Sequence, residues 1–506
     1  MKVRIPVAVL AVAAIAASLW HLRDAEGGTV RSTRYVDGMP VSVFQPQSGA
    51  RRPVVLIAHG FAGSGRLMES FALSFARAGY TAVTFDLPGH GRNPRALTGS
   101  ITEIDGATRT LLTALGRVAD DARQLGDGRL AVLGHSMSSD IVVRLAEART
   151  DVAATIAVSM FSPAVSATAP RNLLVIVGDW EGPLKREALR AIGLATAPAT
   201  ALPFVTYGDF AAGTARRVAF SAHVEHASVL YSDDSQREAV AWLDRTFGAE
   251  RRTAPMTGGR GPWILLLLGA LVTLAWPLAA LLPQVAREPI GASLRWRSLW
   301  PVLIVPMIAT PLVLRVLPTH FLPVLVGDYL AVHFATYGAV TALCLVWLRR
   351  HGAPPKRAPT PWAPLVLGAA AVTAYGLLGL ALPLDRYVTS FLPTPTRVPL
   401  VLAMLAGTLA FFLADEWTTR GAGAARGAYA MSKLAFLASL AIAVGLDFGR
   451  LFFLIIIVPI IVLFFLVHGA FSAWSYRHTG HPFVAAIANA VAFAWAIGVT
   501  FPLLAG

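Results

Sequence analysis

The sequence predicts an α/β domain, doubly wound around a mainly parallel sheet, followed by an all-α domain that crosses a membrane about eight times. Three observations carry this. Between residues 24 and 255, runs that are apolar on both faces alternate with amphipathic stretches, as buried parallel strands alternate with covering helices. From residue 262 onward, long apolar stretches alternate with short arginine-bearing loops. A chain of 506 residues also exceeds what one hydrophobic core organises, so at least two domains are expected.

Residues 1–23 come first. "MKVRIPVAVLAVAAIAASLW" has a basic start and an apolar run, with the small residues Ala14 and Ala16 spaced as a signal peptidase accepts. The run continues through Leu19 and Trp20, past that point, which favours an uncleaved anchor over a signal peptide. Either reading sends the following domain across the membrane. "TVRSTRYVDGMPVSVFQP" then reads as an antiparallel hairpin with Asp37 and Gly38 at the turn. The buried strands are "RPVVLIAHG" (52–60), "TAVTFDLPG" (81–89), "RLAVLGHS" (129–136), "VAATIAVSM" (152–160), "NLLVIVGD" (172–179) and "RRVAFSAH" (216–223). Helical patterns occupy 67–79, 104–124, 138–149 and 235–247.

The domain from 256 to 506 holds eight spans by hydropathy: 262–283, 299–318, 321–348, 363–384, 397–416, 429–446, 451–470 and 483–505. With the 24–255 domain outside, the inner loops carry Arg287, Arg295 and Arg297, then "RRHGAPPKR" (349–357), then Arg420, Arg426 and Lys433, then Arg477. The outer loops carry fewer, so the positive-inside rule agrees, although Arg251, Arg252 and Arg260 stand on the outer approach to the first of these spans. The domain outside therefore faces the periplasm if the membrane is a bacterial inner one. Only four lysines among 43 basic residues, in an alanine-rich chain, suggest a GC-rich bacterial source.

The net charge of +14 does not indicate nucleic acid: the basic residues punctuate apolar spans instead of forming a stripe. Cys344 is the single cysteine, so no intrachain disulfide is possible. No phosphate-binding G-x-x-x-x-G-K-S/T loop and no H-E-x-x-H pair occurs, and neither a cofactor nor a metal is expected.

"AVLGHSMSSD" (131–140) sets Ser136 at a corner between a strand and a helix. A nucleophile on such a turn is lifted above the carboxyl edge of the sheet, and small residues two before and two after relieve its crowding. Here they are Gly134 and Ser138, the latter where a glycine is usual. "AHGFAGSG" after the earlier strand supplies backbone donors for a developing oxyanion, assigned to the N–H groups of Phe61 and Met137. The ordered set "HGFAGS", "DLPGHGRN", "GHSMSS", "VGDWEG" and "VEHASVLYS", closed by the helix of "AVAWLDRTFG", resembles the α/β-hydrolase superfamily over about residues 30–249. The lidless esterases of dienelactone-hydrolase type are the nearest in kind.

That resemblance implies an acid after a late strand and a base after the last one. In "VIVGDWEGP" the family spacing selects Glu181, with Asp179 as the alternative acid; His226 is the base in preference to His223. His90 and His135 read as structural residues of their loops. The implied chemistry is acyl transfer through a covalent intermediate on Ser136.

Only "FSPAVSATAPR" joins the fourth buried strand to the fifth, which leaves no room for a cap domain. "GLATAPATALPFVTYGDFAAG" (193–213) instead suits a mobile flap or membrane-facing loop. An open site of this kind takes a lipid ester or another acyl substrate, and equally a small ester, an amide or a peptide. The spans serve as an anchor in the lipid bilayer, or hold a second, intramembrane site at Asp328, His333 and Tyr337, where the last two share a helical face. Asp415 and Glu416, near a span's inner end, read as interfacial. The leading function is a membrane-tethered serine hydrolase acting on esters. A serine peptidase or amidase is the alternative among enzymes, and a transport or lipid-handling protein with a non-catalytic, hydrolase-like sensing domain is the alternative outside them.

Overall fold

A computed structural model describes residues 3–48, 51–99, 104–196, 201–251, 257–350 and 359–505. They form two compact units. One comprises Ile15–Leu267, Leu384–Ser390 and Pro502–Gly506, and the other Met1–Ala14, Leu268–Pro383 and Phe391–Phe501.

Among the described residues the first unit is built on a nine-stranded sheet: β1 (Thr29–Val36), β2 (Met39–Pro46), β3 (Val54–Ala58), β4 (Thr81–Phe85), β5 (Leu130–His135), β6 (Val152–Val158), β7 (Leu173–Gly178), β8 (Thr206–Tyr207) and β9 (Arg216–Ser221). Their order is β1-β2-β4-β3-β5-β6-β7-β9-β8. The hairpin β1–β2 is antiparallel and turns at Asp37 and Gly38, both at positive φ, as the sequence indicates. From β4 through β9 every pairing is parallel. The helices of this unit are α2 (Glu69–Arg77), α3 (Arg109–Arg123), α4 (Met137–Ala148), α5 (Gly182–Gly193) and α6 (Asp233–Phe247). They follow α1 (Arg4–Asp24), whose residues from Ile15 onward also belong here.

Alternation along each strand explains the two layers. Val55, Ile57, Ala131, Leu133, Leu174 and Ile176 pack in one core with α2 and α6. Val54, Leu56, Ala58, Leu130 and Val132 pack with α3 and α4 on the opposite face, and Leu173, Val175 and Val177 pack with α5. With both faces covered, the carboxyl edge of the sheet is where a polar group is accessible without breaking the core. Residues 159–172 connect β6 to β7 without an intervening helix.

Three features differ from the sequence reading. Helix α5, begun by Gly182 and Pro183, lies where no helix was expected; Ala188, Ala191 and Ile192 bury its inner face. The 193–213 segment is not wholly a free flap, because Thr206 and Tyr207 form edge strand β8 against Arg217 and Arg216; residues 197–200 of it lie outside the described residues. The last span is shorter than 483–505, its helix ending at Thr500. Leu503 then donates its amide to the Gly89 carbonyl at 2.8 Å, and Leu97 donates to the Leu503 carbonyl at 2.8 Å, so the tail belongs to the sheet unit.

The second unit is helical. The chain continues with α7 (Arg260–Leu278), α8 (Trp296–Val316), α9 (Gly327–Arg350), α10 (Trp362–Tyr375), α11 (Leu382–Tyr387), α12 (Val398–Thr419), α13 (Ala428–Leu446), α14 (Phe448–Leu451), α15 (Phe453–Thr479) and α16 (Pro482–Thr500). Counting α1, nine helical segments among the described residues are long and apolar enough to cross a membrane. Of the arginine-bearing loop 349–357, residues 351–357 lie outside the described residues.

The expected grouping of Asp328 with His333 and Tyr337 is not found. Asp328 accepts from the Tyr329 amide at 2.7 Å and lies 3.3 Å from His320 Nδ1, whereas the rings of His333 and Tyr337 stack with centroids 6.4 Å apart. Five residues along a helix turn Asp328 away from the face that His333 and Tyr337 share. Asp415 and Glu416, expected near the inner end of their span, are both buried within the protein. Asp415 pairs with Lys433 and Ser432, and Glu416 pairs with Arg420 at 3.0 Å and with Ser472 at 2.6 Å. Pairing removes most of the penalty that a lone charge would pay in an apolar interior.

Candidate active site

The site is assembled from the carboxyl ends of β3, β5, β6, β7 and β9. Strand β5 ends at His135, and Ser136 takes φ 53° and ψ −117° before α4 begins at Met137. A non-glycine residue there is strained, and the surrounding contacts hold it. Gly134 is required: a Cβ at that position would lie 2.2 Å from the Ser138 carbonyl oxygen. Ser138, which stands where a glycine is usual, introduces no conflict. Its hydroxyl is buried and donates to the His59 carbonyl, tying the elbow to the end of β3. Two residues past β3 stands Gly60, where a Cβ would come within 3.0 Å of the Ser136 Cβ. Phe61 follows Gly60 directly and Met137 follows Ser136, so both predicted donor residues flank this close approach. The Met137 amide belongs to the first turn of α4, whose N–H groups have no partner within the helix.

Ser136 Oγ donates to His226 Nε2 at 2.8 Å, and His226 Nδ1 donates to Glu181 Oε1 at 2.5 Å. The three side chains come from positions up to 90 residues apart in sequence. Glu181 Oε2 accepts from the Gly178 amide and from the Ser159 hydroxyl, each at 2.7 Å. Burial pushes the Glu181 carboxyl up, but the bonds from His226, Ser159 and Gly178 outweigh it and hold the group below the ordinary carboxylate range. The group thus stays ionised beside the imidazole.

Asp179, the alternative acid, is directed elsewhere: it is exposed and pairs with Lys185 at 2.6 Å. His223 is exposed and takes no part in the Ser136–His226–Glu181 chain. His135 donates from Nε2 to the His226 carbonyl at 2.9 Å, and its ring lies 4.9 Å from that of His226. Burial, with the neighbouring His226, pushes its pKa down to about 3, which keeps it neutral. His90 is buried and donates from Nδ1 to the Pro88 carbonyl at 2.9 Å, as a loop-fixing residue does.

Ser159 was not singled out in the sequence. It follows β6 directly, at φ 51°, and its position at the carboxyl edge of a buried strand was the available signal. Asp86 opens the "DLPGHGRN" motif. It accepts from the Gly65 amide at 2.7 Å and from the Arg92 amide at 2.6 Å, which fastens the loop after β4 to the turn that follows Phe61.

Residues 49–195 match the family model described as "Serine aminopeptidase, S33". The sheet unit has the α/β-hydrolase fold. Among solved structures, the chain is similar to TT1662 from Thermus thermophilus, at 18% identity over 44% of this chain and 99% of that one, with a TM-score of 0.33. It is similar to a predicted CIB-like hydrolase from Thermoplasma acidophilum, at 15% identity over 42% and 97%, with a TM-score of 0.33. A membrane phospholipase A, described as a bacterial virulence factor, is similar at 16% identity over 47% and 93%, with a TM-score of 0.30. These likenesses concern the fold alone. No curated protein matches the chain.

Proposed function

We propose that the protein is a membrane-tethered serine hydrolase that cleaves carboxylic esters, with Ser136 as nucleophile, His226 as general base and Glu181 as the acid that orients it. The observation that carries this is the unbroken hydrogen-bond chain from Ser136 Oγ through His226 to Glu181, at 2.8 Å and 2.5 Å. In the forward step Ser136 Oγ attacks the ester carbonyl carbon while its proton passes to His226 Nε2. The carbonyl oxygen becomes an oxyanion, held by the N–H groups of Phe61 and Met137. The tetrahedral centre collapses, the C–O bond to the alcohol breaks, and His226 returns the proton to the departing oxygen. Water, deprotonated by the same imidazole, then attacks the acyl-enzyme and releases the acid. Glu181 remains a carboxylate throughout and stabilises the imidazolium.

An ester substrate fits a site with no cap between β6 and β7, bordered by the exposed aromatics Phe161 and Trp180. The same machinery also serves amides, and the name of the matched family favours a peptidase as the second reading. The orientation expected from the arginine distribution puts the sheet unit on the periplasmic side of a bacterial inner membrane, with the bilayer as its surroundings. A fluorophosphonate probe tests catalysis: the full-length protein is labelled and Ser136→Ala is not. Equal labelling of both would discard the assignment. Acyl esters of graded chain length and the matching aminoacyl amides then separate esterase from peptidase.

A further inference from the structure

The helix that follows the oxyanion turn opens on a group of charges that the hydrolytic site does not use. Glu69, the first residue of α2, is buried and faces four guanidinium groups. Arg31 lies at 2.9 Å, Arg260 at 3.6 Å, Arg66 at 3.8 Å and Arg386 at 3.9 Å. Arg386 has a second partner, gripping both oxygens of Glu26 at 2.6 and 2.8 Å. Among the described residues Arg260 has Glu69 as its one ion-pair partner, at a distance too long for a hydrogen bond. Its side chain is only 1% exposed, and among the described residues Nε, Nη1 and Nη2 are all buried without a hydrogen-bond partner. The Tyr231 hydroxyl and Arg386 Nη1 are in the same condition. The ring of Tyr387 lies beneath both cations, 6.0 Å from the Arg260 guanidinium and 5.2 Å from that of Arg386.

A buried guanidinium with no acceptor is among the costliest groups a protein can hold, so an acceptor is expected to complete the cluster. Arg386 also has Glu26, Arg66 the Arg386 carbonyl and Arg31 the Ser42 hydroxyl, but Glu69 leaves the Arg260 guanidinium unsatisfied. A tetrahedral anion with several oxygens can take donors from Arg260, Arg386 and Tyr231 at once, which a planar carboxylate does less well. The source of the anion follows from where the residues stand in the chain. Arg260 is the first residue of one candidate span, Arg386 lies in the last turn of another, and Glu26 follows the end of a third. Ends of membrane helices lie at the depth of lipid headgroups. We infer that Arg260, Arg386 and Tyr231 form a binding site for a phosphate group, supplied by the headgroup of an anionic glycerophospholipid.

Glu69 competes with such a ligand for the same cations, so the cluster makes a prediction of opposite sign for two substitutions. Thermal unfolding of the full-length protein in detergent is measured with added dioleoylphosphatidylglycerol, dioleoylglycerol or inorganic phosphate. Phosphatidylglycerol raises the unfolding midpoint and dioleoylglycerol, which lacks the phosphate, does not. Arg386→Gln, at a half-buried position, weakens the lipid effect about tenfold in concentration, as loss of one charge-assisted contact does. Arg260→Gln abolishes the effect if it folds. Glu69→Gln lowers the midpoint without lipid and enlarges the rise with lipid, which a purely structural role for the cluster would not produce. If inorganic phosphate acts at the same concentration as the lipid, the phosphate site stands and its ligand is the free anion. The proposal is overturned if dioleoylglycerol acts as well as phosphatidylglycerol, if no ligand raises the midpoint, or if Arg386→Gln and Glu69→Gln leave the lipid effect unchanged.

Discussion

Replacing Glu181 by glutamine tests the acid in a way that the local geometry makes specific. Among the described residues Glu181 Oε2 takes two donors, the Gly178 amide and the Ser159 hydroxyl, each at 2.7 Å, whereas Oε1 takes only the His226 Nδ1–H, at 2.5 Å. An amide has one acceptor oxygen and one donor nitrogen. The Gly178 N–H is fixed by its backbone and cannot become an acceptor, so the glutamine carbonyl settles on that side and its NH2 faces His226. The imidazole must then accept at Nδ1 and carry its proton on Nε2, the tautomer that cannot take the proton of Ser136. The equivalent acid-to-amide change in a serine-protease triad lowers kcat on the order of 10⁴-fold, which is about 5 kcal/mol of barrier at ~1.4 kcal/mol per decade. Full-length Glu181→Gln, assayed in detergent with p-nitrophenyl butyrate, is expected to lose about that much kcat while keeping its far-ultraviolet circular dichroism. Asp179→Asn removes an exposed carboxylate and should leave kcat within about twofold of wild type. Retention of a tenth or more of the kcat by Glu181→Gln, or an equal loss in Asp179→Asn, would refute the reasoning.

Gly134→Ala puts a methyl group 2.2 Å from the Ser138 carbonyl oxygen. It should lower stability by about 1–3 kcal/mol and abolish probe labelling, and an unchanged unfolding midpoint would contradict this. Ser138→Gly removes only the hydroxyl tie to the His59 carbonyl, so activity should persist with stability lower by about 1 kcal/mol, as read by thermal unfolding. Glu181 is held below its ordinary value in the folded state, so the stability it contributes is complete above its unfolded value and lost as pH falls through the folded one. Wild type should therefore lose stability more steeply than Glu181→Gln as pH drops below about 4.3, the ordinary glutamate value, and parallel acid-unfolding curves would deny that role.

Much of this architecture is legible in the chain because strand burial on both faces writes continuous apolar runs. "VVLIA" and "LLVIVG" are read as strands for that reason, and their turns carry the polar residues that reach the site. Glu181 and His226 needed the family spacing, since nothing local separates Glu181 from Asp179. The structure separates them through distant partners: Ser159 from another strand for one, and Lys185 on the surface for the other. Strand β8, with two residues, is too short to write a period, and Gly182 with Pro183 looks like a turn before it looks like the first turn of a helix. The Glu416–Arg420 pair was within reach of the sequence, being four residues apart at the end of one helix. Its neighbour Asp415 pairs with Lys433 of the next helix, which only the packing of α12 against α13 reveals.

The acyl-enzyme is the species on which the account turns, and it can be trapped. Full-length protein reacted with a fluorophosphonate, or quenched in acid during turnover of a slow ester, is digested at arginine to release the peptide Leu130–Arg144, which contains Ser136, Ser138 and Ser139. Fragmentation by tandem mass spectrometry is predicted to put the adduct on Ser136, with none on the peptide from His226→Ala. An adduct on Ser138, Ser139 or a serine elsewhere in the chain, with Ser136 unmodified, would contradict it.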